Sequence, residues 1–365
     1  MRVLIVKTSS LGDVIHTLPA VTDAARALPG IRFDWIVEEA FAEIPAWHPA
    51  VARVIPVAFR HWRRHPFART TREAWRAFRA ALADAHYDCV LDAQGLLKSA
   101  LLARQACGPL HGLDRHSARE PLASLAYDNR HAAPWGRHAV RRVRELFAAA
   151  LGYALPLEAL DGADGAANAD AAVYGLDRAR ALTGAPMPPD SEAPRLVCLH
   201  GTTWPTKHWP EAYWRELACI ASGAGWQVRL PWGNDAERER AVRIETGLDG
   251  VRALPRLTLG GLAAELIAAT ACVAVDTGLG HLAAAFDVPA VSVFGPTNPG
   301  FTGAWGRRQQ HIATDFPCAP CLKKVCSRRP VSSNTADVEP PCFARLNPCR
   351  IWHHVLKLAI SGEAA

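Results

Sequence analysis

The sequence predicts an α/β protein of two Rossmann-like, doubly wound parallel-sheet domains facing a central cleft. Three observations carry that prediction. At 365 residues the chain is too long for one compact core. Short apolar, β-branched runs alternate with helical patterns, the signature of strands covered on both faces and joined by crossover helices. The alternation occurs twice, and between its two rounds residues 155–170 thin into Ala, Gly and Asp as a linker would. The expected domains are 1–160 and 171–346, the second carrying a Cys-rich segment at 318–349. A final helix, 350–361, is expected to pack back on the first domain.

In the first half the pattern gives strands over 3–6, 33–37, 51–57 and 89–92. Helices are expected from 14, over 71–85 and over 96–106. The loop between the first strand and first helix, Lys7-Thr8-Ser9-Ser10-Leu11-Gly12-Asp13, reaches the carboxyl edge of the sheet, where open α/β folds bind ligands. Asp13 there reads either as the helix N-cap or as a carboxylate offered to a ligand. In the second half strands are expected over 196–200, 227–230, 272–275 and 290–294. Helices are expected over 211–221, 236–246, 259–269, 279–286 and 351–360.

Composition narrows the class. Half of the residues are hydrophobic and 21% are charged, as in ordinary globular enzymes. The first apolar run stops at Lys7, so no signal-peptide core is expected. The run 262–275 is interrupted by Glu265 and is too short for a bilayer. Ten Cys without an export signal read as reduced cytoplasmic thiols. A net charge of +6 and an isoelectric point near 8.9 favour an acidic partner without choosing its kind.

The cations are not spread evenly. Phe59-Arg60-His61-Trp62-Arg63-Arg64-His65 precedes a helix whose Arg72, Arg76 and Arg79 share one face. That helix reads as solvated. The segment before it reads equally as a solvated face or as an anion-binding loop at a bilayer surface. Arg119 and the basic stretch 138–144 add to the positive charge of this half.

Three strand-end loops in the second half carry phosphate chemistry. His200 to Pro210 offers the hydroxyls of Thr202 and Thr203 and the ammonium of Lys207. Pro231 to Glu237 brings a carboxylate able to hydrogen-bond a sugar hydroxyl. Asp276-Thr277-Gly278-Leu279-Gly280-His281 opens a helix whose amides would face a diphosphate. Together they describe a nucleotide-diphosphate sugar site. Opposite it, Asp13 would take a proton from the acceptor hydroxyl, and Lys207 with the amides near Gly278 would stabilise the leaving phosphate.

These loops resemble the ADP-heptose:lipopolysaccharide heptosyltransferase family of the GT-B glycosyltransferases. The matching segments are Lys7 to Asp13, Phe33-Asp34-Trp35, Asp92-Ala93-Gln94-Gly95-Leu96 with Lys98-Ser99, and Arg119-Glu120-Pro121-Leu122-Ala123-Ser124. Lys207-His208-Trp209-Pro210, Leu230-Pro231-Trp232-Gly233 and Asp276-Thr277-Gly278-Leu279 complete them, in the family's order across nearly the whole chain. The resemblance implies a GT-B architecture and inverting transfer of L-glycero-D-manno-heptose from ADP-heptose to a Kdo sugar of Kdo-lipid A, with no required metal or other cofactor. The alternative within the family is transfer to an already heptosylated core. It implies Asp13 as the base and Thr202, Thr203, Lys207, Glu237, Leu257, Asp276, Thr277, Gly278 and His281 as donor contacts. Ser10, Arg60, Arg63, Arg64, Lys98 and Arg119 would meet the acceptor. The implied location is peripheral, on the cytoplasmic face of the bacterial inner membrane against an anionic surface, with no nucleic-acid partner.

Two features depart from the family pattern. The donor loop reads Thr203-Trp204-Pro205-Thr206-Lys207, less polar before the Lys than in relatives. Cys318, Cys321, Cys326, Cys342 and Cys349 form a late cluster containing one CxxC pair; thiolates so spaced can bind zinc, although ordinary loop cysteines are the expectation. A nicotinamide dehydrogenase is disfavoured because Ser9-Ser10-Leu11-Gly12 replaces G-x-G-x-x-G after the first strand. A nucleic-acid binder would leave the three donor loops without a purpose.

Overall fold

A computed structural model of the protein describes residues 1–155, 174–332 and 337–361. Nearly all of the linker expected at 155–170 lies outside the described residues. The chain divides into two compact units, one of residues 1–161 with 173–180 and one of 162–172 with 181–365.

The first unit holds a six-stranded parallel sheet: β1 (Arg2–Val6), β2 (Arg32–Glu38), β3 (Val51–Val57), β4 (Cys89–Asp92), β5 (Leu110–Leu113) and β6 (Asn129–His131). Their order is β3-β2-β1-β4-β5-β6. Val3, Leu4, Ile5 and Val6 have no exposed surface, as a central strand covered on both faces requires. The second unit repeats the plan. Strands β7 (Arg195–Leu199), β8 (Gln227–Leu230), β9 (Val251–Ala253), β10 (Ala271–Val275), β11 (Ala290–Phe294) and β12 (Gln309–Ala313) pair in parallel in the order β12-β11-β10-β7-β8-β9. Both orders reverse direction once, between β1 and β4 and between β7 and β10. Such a switch point opens a crevice at the carboxyl ends of its two strands.

One expectation is corrected. Residues 59–64 form a helix, Phe59–Arg64, rather than a loop. Trp62 is buried, packing edge-on to Trp75 with centroids 5.8 Å apart and against Phe78 at 6.1 Å. The aromatic that was expected to interleave with arginines at a surface therefore anchors the helix to the core, a contact worth roughly 0.5–1.5 kcal/mol beyond its buried area. The terminal helix, Pro348–Ser361, places its apolar face in the second unit's core. Ile351 and Val355 are fully buried there, and Trp352 meets Trp226 edge-on at 5.2 Å. The helix packs on helix Glu211–Gly223.

Candidate active site

In the first unit the switch point is built from the ends of β1 and β4. The register pairs Val6 with Asp92, so Lys7 and Ala93 follow side by side, and Lys7 Nζ donates to the Ala93 carbonyl at 2.8 Å. Burial pushes the Lys7 ammonium down from its ordinary value. The neighbouring Asp13 and Asp92 oppose that shift, while Arg142 and Arg119 add to it. Lys7 is thus a buried cation inside the candidate site, and the sequence reading gave it no role.

The Lys7–Asp13 loop is stitched to β4 by Gln94. Its Oε1 accepts from Thr8 N at 2.7 Å, Thr8 Oγ1 at 3.1 Å and Ser9 N at 3.3 Å, and its Nε2 donates to the Ser9 carbonyl. Asp92 underlies this loop. It is fully buried and accepts from Gln94 N (2.9 Å), Ser99 Oγ (2.8 Å) and Tyr127 Oη (2.8 Å). Burial raises its carboxyl above the usual range, and those three donors pull it back.

Asp13 is not the N-cap. Ser10 caps helix Leu11–Ile15, and Asp13 stands at its third position, where Oδ2 accepts from Ser10 N at 2.7 Å and Ser10 Oγ at 2.8 Å. This is a capping box with Asp in place of the usual Glu. It fixes the carboxylate of a half-exposed side chain.

The basic residues expected around the acceptor are partly gathered. Lys98 Nζ donates to Ser9 Oγ at 3.3 Å. Partial burial lowers its ammonium below the usual value, with Arg60 and Arg63 lowering it further and Glu38 and Glu120 opposing. Arg60 N donates to Glu38 Oε1 at 3.1 Å. The Arg119 segment lies on the β4 loop, where Glu120 N donates to the Gly95 carbonyl at 3.0 Å. Arg64 is exposed at the end of its short helix, and nothing ties it to this group.

In the second unit the register pairs Ala274 with Leu199, bringing Asp276 beside the start of the His200–Pro210 loop. Lys207 Nζ lies 2.7 Å from Asp276 Oδ2, Thr297 Oγ1 donates to the same oxygen at 2.7 Å, and Thr202 Oγ1 donates to the Asp276 carbonyl at 3.1 Å. The Lys207 ammonium also sits 4.5 Å from the Trp204 ring centre. The unusual Trp in this loop therefore packs on the cation without displacing it. Thr203 is exposed.

Glu237 belongs to the same cluster. Its Oε2 accepts from Gly233 N at 2.8 Å, and a Cβ on Gly201 would lie only 2.6 Å from its carboxylate. Asn234 caps helix Asp235–Glu245 by accepting from Glu237 N at 3.0 Å. Thr277 is the N-cap of helix Gly278–Ala285, which carries His281, buried, in its first turn. Leu257 follows β9 half-buried, just before the N-cap Thr258 of helix Leu259–Ile267. Every expected donor residue thus lies at or just past the carboxyl end of β7, β8, β9 or β10.

The late cysteines gather in part. Cys318, Cys321, Cys326 and Cys342 line one pocket with Thr206, Gly295 and Pro296, while Cys349 lies exposed on the terminal helix. Burial and the three neighbouring thiols push Cys342 up to about 12. Among the described residues no three His, Cys, Asp or Glu side chains are grouped to hold a metal ion.

Residues 75–332 match the model of glycosyltransferase family 9 (heptosyltransferase), more than half of the chain. The chain belongs to glycosyltransferase family 9. This family 9 glycosyltransferase is 60% identical over 369 residues to the lipopolysaccharide heptosyltransferase 1 of Pseudomonas aeruginosa, with 100% of this chain and 99% of the relative covered. It is 50% identical over 310 residues to the Escherichia coli K12 enzyme of the same name, covering 85% and 92% of the two chains. The solved structure of E. coli heptosyltransferase WaaC with ADP-2-deoxy-2-fluoro heptose superposes with a TM-score of 0.78 at 43% identity, covering 98% of this chain and 99% of that one. Similarity to lipopolysaccharide heptosyltransferase 2 of E. coli is 34% over 119 residues, 31% of this chain.

Proposed function

We propose that this family 9 glycosyltransferase transfers L-glycero-D-manno-heptose from ADP-heptose to a Kdo sugar of Kdo-lipid A, with inversion at the anomeric carbon. The observation that carries the reading is the near full-length identity of 60% to a lipopolysaccharide heptosyltransferase 1. The alternative, transfer to an already heptosylated core, is left with similarity over 31% of the chain.

The chemistry divides between the units. In the first, Asp13 accepts the proton of the attacking acceptor hydroxyl as oxygen bonds to the anomeric carbon. Ser10, Arg60, Arg63, Arg64, Lys98 and Arg119 meet the anionic acceptor. The buried Lys7 lies within electrostatic reach of Asp13. In the second unit, Lys207 and the amides at the start of helix Gly278–Ala285 take up the charge that develops as the bond to the diphosphate breaks and ADP leaves. Thr202, Thr203, Asp276, Thr277 and His281 surround that diphosphate, Glu237 binds sugar hydroxyls, and Leu257 packs on the adenine. The mechanism asks no metal for either role, so turnover should survive exhaustive chelation.

No helix among the described residues is long and apolar enough to cross a membrane. A lipid-linked acceptor then requires peripheral docking on an anionic membrane face, the cytoplasmic face of the inner membrane in this reading.

The test is incubation with ADP-heptose and either Kdo-lipid A or a heptosylated core, following ADP release and the mass of the product. Turnover with Kdo-lipid A supports the proposal. Turnover confined to the heptosylated acceptor would move the assignment to the second transferase.

A further inference from the structure

Residues 59–64 form a short helix that buries Trp62 and leaves its arginines exposed, so it offers a membrane charge rather than the aromatic insertion that composition suggested. An apolar surface does exist elsewhere on the first unit. Helix Leu97–Ala103 buries Ala100, Leu102 and Ala103 and turns Leu97 and Leu101 outward, 51% and 50% exposed. The neighbouring 3₁₀ segment Pro121–Ala126 buries Ala123 and Ser124 and leaves Leu122 and Leu125 64% and 70% exposed. The first pair is spaced i, i+4 on an α-helix and the second i, i+3 on a 3₁₀ turn, so each lies on one face of its element.

The two elements pack together, and Leu97 N donates to Glu120 Oε2 at 2.7 Å, which ties the start of one to the start of the other. Four exposed leucines are thus carried on two short elements that pack together and bury their other sides in the same core.

Cations border this pad. Lys98 lies between its two helical leucines and senses the charges of Arg60 and Arg63. Arg119 is exposed immediately before the 3₁₀ segment, and Arg104 is exposed at the other end of the helix. The acidic groups among them are already engaged: Glu120 accepts from Leu97 N, and Asp128 lies 3.4 Å from Arg104.

We propose that Leu97, Leu101, Leu122 and Leu125 form the surface that inserts into an anionic phospholipid bilayer, with Arg104 and Arg119 meeting its headgroups. Apolar side chains ringed by cations match the boundary between acyl chains and anionic headgroups. A second copy of this chain is the poorer occupant. It would bring the same cations against themselves, and four leucines fall short of the roughly 800 Å² that each partner buries in a standard interface. The inference rests on the lipid-linked acceptor of the proposed function.

The experiment is flotation of the full chain with vesicles of phosphatidylcholine alone or with phosphatidylglycerol, at low and high salt. Two paired variants, Leu97→Ser with Leu101→Ser and Leu122→Ser with Leu125→Ser, are compared with the parent. The expected result is binding of the parent to the anionic vesicles and roughly tenfold weaker binding by each pair. Salt should weaken parent and variants by a similar factor, because both keep the cations, so the loss due to the leucines should persist at high salt. On a water-soluble deacylated acceptor the variants should match the parent, and on acceptor embedded in vesicles they should fall behind.

Vesicle binding unchanged in both pairs would overturn the proposal. So would a parent dimer by sedimentation velocity that the variants convert to monomer, because the pad would then be a protein interface. A parent that binds vesicles through the leucines but transfers no heptose to either acceptor would overturn the transferase reading while supporting the pad.

Discussion

Lys207 and Asp276 form an ion pair of 2.7 Å across two loops that are 69 residues apart in sequence and adjacent in the sheet. The carboxylate is 8% exposed and the ammonium 16%, so neither can fall back on water. Asp276 therefore aims the cation as well as neutralising it. Lys207→Met should lower kcat roughly 100-fold, the size of loss seen when one electrostatic donor to a transition state is removed. It should also cost about 1–3 kcal/mol of stability, because the buried Asp276 carboxylate loses its cation and keeps the Thr297 bond. Steady-state kinetics and thermal melts check both.

Asp13 has a structural role in the capping box and a proposed chemical one, and two substitutions separate them. Asn at this position can still accept from Ser10 N, so Asp13→Asn should melt within about 0.5 kcal/mol of the parent, whereas Asp13→Ala should lose about 1 kcal/mol with the capping box. Both should reduce turnover by roughly 100- to 10,000-fold while leaving the Kd for ADP-heptose nearly intact. Near-normal turnover in the Asn variant would reduce Asp13 to a helix cap.

Gly201 gives a test of Glu237 that does not touch its carboxylate. A Cβ at 201 would press on that group at 2.6 Å. The side chain can swing away, so Gly201→Ala should stay within about 1 kcal/mol of the parent in stability while weakening donor binding. If displacement of Glu237 is the cause, combining Gly201→Ala with Glu237→Ala should cost no more in donor KM than Glu237→Ala alone.

His48 predicts an acid-labile first unit. It accepts from Ala50 N at Nδ1 (3.1 Å) and lies 3.0 Å from Thr22 Oγ1 at Nε2, whose hydroxyl donates to the Leu18 carbonyl at 3.2 Å; this pattern suits the neutral ring. Burial, helped by the Arg180 charge, lowers it to about 4 from 6.5. The unfolded chain therefore binds more protons between those values. Stability should be full above about 6.5 and fall as the pH drops towards 4, by on the order of 3 kcal/mol. His200, lowered to about 4 by burial with Arg240 adding, should act likewise in the second unit. Melting the parent and His48→Asn across that range should show a shallower acid loss in the variant, whose amide oxygen can keep the Ala50 bond.

The central strands were legible because burial on both faces leaves an unbroken apolar run: β1 and β10 fall within one residue of where the sequence puts them. Strands β5, β6, β9 and β12 were not foreseen. They are three to five residues long and mix in polar groups such as His111, Asn129, Arg252 and Gln310, so periodicity has too little chain to act on. Arg60 to Arg64 misled because charge was read without Trp62's burial. The candidate donor residues of the second half were read from loops at strand ends, and the structure puts those loops at the carboxyl edge of the sheet. What the sequence could not offer was long-range partnership: Gln94 holding Thr8, Tyr127 holding Asp92, and Lys7 reaching Ala93 join positions 35 to 86 residues apart. Lys7 stood in the quoted motif, and a Lys directly after a fully buried strand was the available signal for a desolvated cation.

The donor loop is also held from late in the chain. Thr206 Oγ1 donates to the Lys323 carbonyl at 2.6 Å, and Trp209 Nε1 to the Leu346 carbonyl at 2.9 Å. During synthesis, β7 and its loop leave the ribosome more than a hundred residues before either acceptor exists. The first unit can mature early, but the segment carrying Lys207 stays unbraced until residue 346 has emerged. A nascent chain shorter than that would have Asp13 in its capping box while the Lys207 loop still waited for its braces.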